Sequence, residues 1–208
     1  MPAQTPHIFQ TAQDAYLNAT KDAITHLHLV KDYLQSDSFV TVTGAKSVAS
    51  IAISPADMAI STVDGNRTLV INPKSNLTKN NSSQKYVIGT ASSGTTNSLT
   101  LTGAGWSVSA YERKVVHITG GTGAGESAKI TGNTADTLSF DAGAFTVALD
   151  NTSEFEILDD ISAVYVSSTE VVYACEEATD KAIDAASADQ VSCSGASLAL
   201  PALTNVAS

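Results

Sequence analysis

The glycine-rich segment 120–127 is the stretch whose residue types and spacing come closest to a chemical site. Its letters GGTGAGES follow the spacing of a phosphate-binding loop, in which backbone N–H groups and a lysine surround the phosphates. Glu126 stands where the lysine is required, and its carboxylate repels phosphate. Residues 128–131 then alternate as a strand, so no helix N-terminus is expected to receive an anion. We therefore predict no cofactor site, and we interpret the segment as a hairpin whose structural turn is formed by Gly121, Gly123 and Gly125.

Histidine spacing gives no support for a metal site. His26 and His28 lie two positions apart on a predicted helix, so their side chains point to different faces. A zinc pair on a helix requires a spacing of three or four. His7 stands alone near the N-terminus, and His117 alternates with apolar neighbours in a predicted strand. The sequence therefore predicts no bound metal.

Carboxylates are scattered near predicted turns and could in principle act in pairs on a glycosidic bond. Aspartates beside Gly, Asn and Thr more often form turns than catalytic pairs. Local context suggests no Ser-His-Asp or Cys-His arrangement and no G-x-S-x-G turn. We therefore expect no catalytic residue and no enzymatic activity. The aspartates concerned are Asp136, Asp141, Asp150, Asp159 and Asp160.

Composition narrows the class of partner. The chain has 208 residues, a formal net charge of −10 and only 15% charged residues. Its two arginines, Arg67 and Arg113, form no basic stripe, so neither nucleic acid nor an anionic membrane is an expected partner. A signal peptide and a long apolar run are both missing, which predicts synthesis and folding in the cytoplasm. Cys175 and Cys193 are expected to be reduced, although a disulfide between them is possible by count.

The elements that position these residues begin with a predicted amphipathic helix. It starts at Thr11 or Asp14, ends near Ser36, and carries its apolar residues at helical spacing. This face packs either on the β domain of the same chain or on another subunit. Together with the apolar tail, it forms a candidate assembly interface. The residues assigned to it are Tyr16, Leu27, Val30, Leu34, Leu198, Leu200 and Leu203.

From Phe39 onward the apolar period falls to two, which predicts strands, beginning with residues 39–43. Between residues 98 and 157, short strands alternate with glycine turns at the spacing of a small barrel or sandwich. We predict a mainly β chain of small antiparallel sandwich-like or barrel-like modules behind an N-terminal amphipathic helix. The predicted regions are a helical arm (1–37), a first β region (38–97), a barrel-like module (98–160), and a C-terminal β segment with an apolar tail (161–208).

Residues 99–157 resemble a small β module that recurs in virion proteins of tailed phages. In that module an aromatic-led strand precedes a G-T-G-A-G hairpin, a polar strand with an Asn-Thr turn, and a closing strand with an aromatic before an isoleucine. A glycine is usual before the lysine that opens the first hairpin strand, and this chain has Arg113 there. The matching residues are Trp106, Tyr111, 114–118, 121–126, Lys129, Ile130, Asn133, Thr134, Thr137, Leu138 and 150–157.

Residues 161–206 are similar to another small β element of phage particles, at 163–166, Gly195, 200–201 and Val206. The two resemblances imply a virion protein, homotrimeric or arrayed by particle symmetry, with itself and other virion proteins such as the major capsid protein as partners. We expect first a decoration or cement protein of the head, and second a neck, baseplate or fibre-base protein. A third hypothesis is a glycan-binding or cell-binding module. It would use loops 74–84 and 91–97 with Tyr86, Trp106 and Tyr111.

Overall fold

A computed structural model describes residues 7–63, 66–168, 172–179, 192–193 and 196–199 of the chain. Helix α1 (His7–Ala23) comes first, α2 (Phe39–Thr43) is a short helix, and a 3-10 turn spans Pro55–Asp57. The strands are β1 (Ile24–Lys31), β2 (Ser47–Ala52), β3 (Met58–Val63), β4 (Asn66–Ile71), β5 (Thr78–Lys79), β6 (Lys85–Thr90), β7 (Ser93–Gly94), β8 (Ser98–Thr100), β9 (Val115–Gly120), β10 (Ser127–Lys129), β11 (Gly132–Asn133), β12 (Thr137–Ser139), β13 (Glu154–Leu158), β14 (Ile161–Ser167), β15 (Val172–Thr179) and β16 (Ala196–Ala199).

These strands form small antiparallel sheets, which confirms the predicted mainly β class with an N-terminal helix. One sheet is five-stranded in the order β15-β14-β1-β2-β5, and one is three-stranded in the order β16-β4-β3. Two further sheets are four-stranded, in the orders β10-β9-β13-β6 and β11-β12-β8-β7. No closed barrel forms among the residues that the structure describes.

The sheets enclose two main hydrophobic cores. One core lies between the five-stranded and three-stranded sheets and includes Leu17 of α1. We call this part the helix-bearing unit. The other core lies between the two four-stranded sheets and includes Phe155, Ile118 and Leu138. We call that part, residues 85–158, the sandwich unit, and its glycine turn joins β9 to β10.

The predicted helix is too long, because α1 ends at Ala23 and the next residues form β1. In β1, Leu27 and Leu29 alternate with His26 and His28, which fits a period of two. An apolar run as short as β1 fits either a helical or a strand period, so pairing with neighbouring strands decides its conformation. β1 is central in its sheet, with β14 on one side and β2 on the other.

The predicted strand at residues 39–43 is also wrong, because these residues form α2. The Ser38 side chain accepts a hydrogen bond from the backbone N–H of Thr41 at 3.2 Å, which caps the helix. Val42 packs with Val30 and valines of β14 on the outer face of the five-stranded sheet. The N-cap and this one buried contact outweigh the β propensity of the segment.

Candidate functional site

A cluster of charged side chains lies where the helix-bearing unit meets the sandwich unit. The Lys114 ammonium, just before β9, contacts the Asp32 carboxylate and lies 2.8 Å from Oδ1 of Asp159. The Tyr86 hydroxyl donates to the same Asp159 oxygen at 2.7 Å, and the backbone N–H of Gln84 donates to the other at 2.8 Å. Asp32 follows β1 and Asp159 links β13 to β14, so this cluster joins elements of both units. We call it the ionic junction.

The electrostatics of the junction keep its charges fixed. Burial acts to raise the pKa of Asp159, but hydrogen bonds from Lys114 and Tyr86 outweigh it and hold that pKa below its usual range. Burial acts to lower the pKa of Lys114, but its bonds to Asp159 and Asp32 raise that pKa above its usual range. Neither group exchanges a proton near neutral pH. The ionic junction is therefore better suited to holding the two units together than to acid–base catalysis.

Two further contacts extend this junction. The Lys129 ammonium pairs with Asp160, whose side chain is only 4% exposed. The Arg113 guanidinium donates to the backbone oxygen of Tyr33 at 2.9 Å. Asp159 and Asp160 are therefore buried ion-pair partners, and the expectation that they form turns is wrong for these two. The sequence carries a signal for these ion pairs, because the two adjacent carboxylates lie between two apolar strands. A carboxylate in such a position is buried and requires a counter-charge.

The aromatic residues proposed for glycan contact come together beside the junction. The ring centroids of Tyr86 and Tyr111 are 6.1 Å apart, and those of Trp106 and Tyr111 are 5.7 Å apart in an edge-to-face arrangement. Lys114 lies 4.7 Å from the Tyr86 ring centroid. Tyr86 is 39% exposed, whereas Trp106 and Tyr111 pack partly against the sandwich core. We call these three residues the aromatic row.

A row of Ser127, His117 and Glu156 crosses β10, β9 and β13 in register. The Ser127 hydroxyl lies 2.8 Å from Nδ1 of His117. The Glu156 carboxylate accepts a hydrogen bond from the Lys85 ammonium at 2.6 Å. Glu156 therefore forms an ion pair that links β13 to the edge strand β6.

A second histidine–serine pair lies on the five-stranded sheet. Nδ1 of His28 is 2.9 Å from the Ser47 hydroxyl, which also accepts a hydrogen bond from the Asn80 amide at 2.8 Å. Burial, reinforced by nearby His26, lowers the pKa of His28 to about 4. Because Ser47 is fully buried, a substrate has no access to its hydroxyl. This pair is part of the internal polar network of the fold.

The three predicted turn glycines all have positive φ angles. A Cβ on Gly121 (φ 69°) would lie 1.8 Å from the backbone oxygen of Thr152, and one on Gly123 (φ 83°) would lie 2.7 Å from Leu149. Gly125 (φ 89°) faces open space. The loop joins two antiparallel strands, and Glu126 is bound by the backbone N–H of Thr146 at 2.7 Å. The loop is therefore a tight turn packed against Leu149 and Thr152, which precede β13.

The structure divides the proposed assembly residues between the surface and the interior. Tyr16 and Leu34 are exposed, at 57% and 39%. Leu27 lies in the core of the helix-bearing unit, and Val30 lies under α2, so neither is available at the surface. Leu198 belongs to β16, where it is paired in register with Leu69. Leu200 and Leu203 lie outside the described residues.

The described residues contain no group of three or more His, Cys, Asp or Glu side chains placed to hold a metal ion. Within the same ranges, no helix has the length and apolarity needed to cross a membrane. Cys193 is a buried free thiol, and the side chain of Cys175 lies outside the description.

No protein-family model matches the chain, and comparisons with curated proteins and with solved structures find no match.

Proposed function

We propose that this chain is a non-enzymatic structural protein of a tailed-phage virion, and that it acts as a decoration protein on the outside of the head. Its role is passive. It holds neighbouring capsid subunits together by burying apolar and strand-edge surface across their boundaries. Such contacts gain strength from repetition on a symmetric lattice. Its partners are further copies of itself, in a trimer or a symmetric array, and the major capsid protein.

The observation that carries this proposal is the backbone conformation of Arg113. The phage module that residues 99–157 resemble usually has a glycine at this position. Arg113 has a φ of 71°, in the left-handed region that favours glycine. A glycine adopts such a backbone without strain, so the conformation of Arg113 is compatible with a position that is usually glycine and in this way supports the proposal. The hydrogen bond from Arg113 to Tyr33 offers a reason for the arginine, because it ties this turn to the helix-bearing unit.

Isolated apolar side chains on a weakly charged surface also support an assembly role. Ile88 and Val108 are each 74% exposed and Val40 is 73% exposed. They lie on the sandwich edge, in its 102–113 loop and on α2, so several faces could contact neighbours. Single exposed apolar residues are common on any protein. These side chains support an assembly role only together with the resemblance of residues 99–157 to the phage module.

The proposal is tested by counting copies on purified particles. Virions are banded on a density gradient and probed by quantitative immunoblot with an antibody raised against the purified chain. A head decorator should be present in on the order of hundreds of copies per particle, because it follows capsid symmetry. A value of about a dozen would place the chain in the neck, baseplate or fibre base instead. Its absence from particles would reject a virion role.

The aromatic row favours one second candidate, a glycan-binding module. Tyr and Trp rings bind sugars by stacking, and three such side chains are contiguous, with Trp106 and Tyr111 in the 102–113 loop and Tyr86 on β6. The edge-to-face packing of Trp106 on Tyr111 limits the free ring area, which is why this function ranks second.

A glycan array distinguishes this candidate from the first. Binding at about micromolar affinity that is lost in Tyr111→Ala, and kept in the control Val40→Ala, would support it. A chain that binds no glycan on the array would remove it.

A further inference from the structure

Strand β6 is an edge strand of the sandwich unit in the described part of the chain. It ends the order β10-β9-β13-β6, so β13 is its only neighbour among the described residues. Free edges are often protected by being short, and four of the eight described edge strands, β5, β7, β10 and β11, have two or three residues. β6 has six residues and contains no proline.

The hydrogen-bond alternation identifies which backbone groups of β6 point outward. The N–H of Ala91 donates to the carbonyl of Ser153 at 2.9 Å, one step beyond the register pair Thr90–Glu154. In an antiparallel ladder such bonds involve every second residue. Gly89 therefore bonds inward to β13, whereas the N–H and C=O groups of Ile88 and Thr90 point to the open side.

The side chains on this edge include an exposed isoleucine and carry no negative charge. Ile88, at the middle of the strand, is 74% exposed, and Thr90 is also exposed. The chain carries 21 acidic residues, yet none lies between positions 65 and 111. Glu156, behind Ile88 on β13, is neutralised by Lys85. The carboxylates of β13, directly behind the edge, are Glu156, paired with Lys85, and Glu154, opposite Thr90, so the strand itself adds no negative charge to a molecule of net charge −10.

We propose that two copies of this chain associate by pairing their β6 strands antiparallel about a twofold axis at Ile88, which joins two four-stranded sheets into one. Ile88 then faces its counterpart and Thr90 lies opposite Tyr86 of the other copy. Strand addition of this kind uses main-chain hydrogen bonds for affinity and a central apolar pair for register. The contact is isologous and closes at two copies. This inference rests on the assembly role proposed above and identifies one surface that serves it. In a trimeric assembly, the β6 contact would link one trimer to another.

Self-association is tested by sedimentation velocity on the purified chain with matched variants. Wild type should show a concentration-dependent doubling of mass. Ile88→Arg should raise the dissociation constant about tenfold or more, because two arginines would meet at the axis. Val108→Arg is the control, since Val108 has the same exposure but lies off the edge, and it should leave the constant unchanged. A wild type that is monomeric throughout, or a complex unaffected by Ile88→Arg, would overturn the inference.

Hydrogen exchange provides a second readout that needs no variant. The amides of Ile88 and Thr90 should become protected as concentration rises, whereas the Gly89 amide should be protected at every concentration. Equal behaviour of the three amides would also overturn the inference. No phage particle is used in either experiment. Pairing without head binding would therefore leave this contact in place and remove only the virion role.

Discussion

At the scale of single residues, Lys114 determines how the two units are held. Its carboxylate partners, Asp32 and Asp159, are 82 and 45 positions away in the sequence. Both pairs involve partly or fully buried groups, where a lost partner leaves an uncompensated charge. Distances of this size along the chain explain why the sequence alone indicated neither pair.

Removal of the Lys114 ammonium should therefore destabilise the fold. Lys114→Met leaves Asp159, which is 3% exposed, without its cation, and we expect a loss of about 3–5 kcal/mol in the free energy of unfolding. Urea denaturation followed by circular dichroism measures it. Lys21→Met, on the partly exposed surface of α1, is the control and should change stability by less than about 0.5 kcal/mol. Similar losses in the free energy of unfolding for the two variants would contradict a stabilising role for the ionic junction.

His28 should make stability depend on mildly acidic pH. Its pKa is about 4 in the folded chain, against an ordinary value of 6.5, because burial and His26 disfavour the cation. Unfolding therefore takes up a proton below pH 6.5, so stability is full above that pH and falls as pH drops toward 4. The shift corresponds to about 3 kcal/mol.

The matched variants for this prediction are His28→Asn and His26→Asn. His28→Asn keeps a polar group near Ser47 and should flatten the pH dependence of unfolding between pH 6.5 and 4. His26→Asn should keep most of the slope. A wild-type stability that is constant across this range would contradict the assignment.

At the scale of elements, the sequence was most informative where turns and alternation agree. Whereas β7 lies in the predicted loop 91–97, the longer strands of the sandwich unit and its glycine hairpin follow from glycine spacing and a period of two. Strand β1 did not, because its leucines and histidines also fit a helical face, and only pairing with β14 and β2 decides between them. Local pattern was also insufficient for α2. Its β-branched residues favour a strand, but the N-cap at Ser38 favours the helix that forms. Of the candidate sites, the aromatic row was named from residue type, but the ionic junction depends on long-range contacts.

The glycine hairpin gives a prediction at this scale. Gly121→Ala places a Cβ against the backbone of Thr152 in a left-handed conformation, so both a clash and backbone strain oppose it. We expect a loss of more than about 2 kcal/mol, measured by urea denaturation. Gly125→Ala is the matched control, because its φ is also positive but its Cβ meets open space, and it should cost about 1 kcal/mol. Equal losses would show that the close approach to Thr152 is not important.

At the scale of the whole molecule, two cores joined by buried ion pairs present a weakly charged surface with apolar side chains on several faces. The net charge of −10 disfavours contact between copies over most of the surface, and the acid-free stretch from 65 to 111 includes the β6 edge that we propose as a contact between copies. This combination suits a protein that is soluble alone and binds when presented with an ordered array.

The most direct test of that role is saturable co-sedimentation of the purified chain with heads from a phage mutant that lacks its gene. A decoration protein should pellet with the heads and saturate at a copy number set by capsid symmetry. A chain that stays in the supernatant at every concentration, with heads that are intact by electron microscopy, would contradict it.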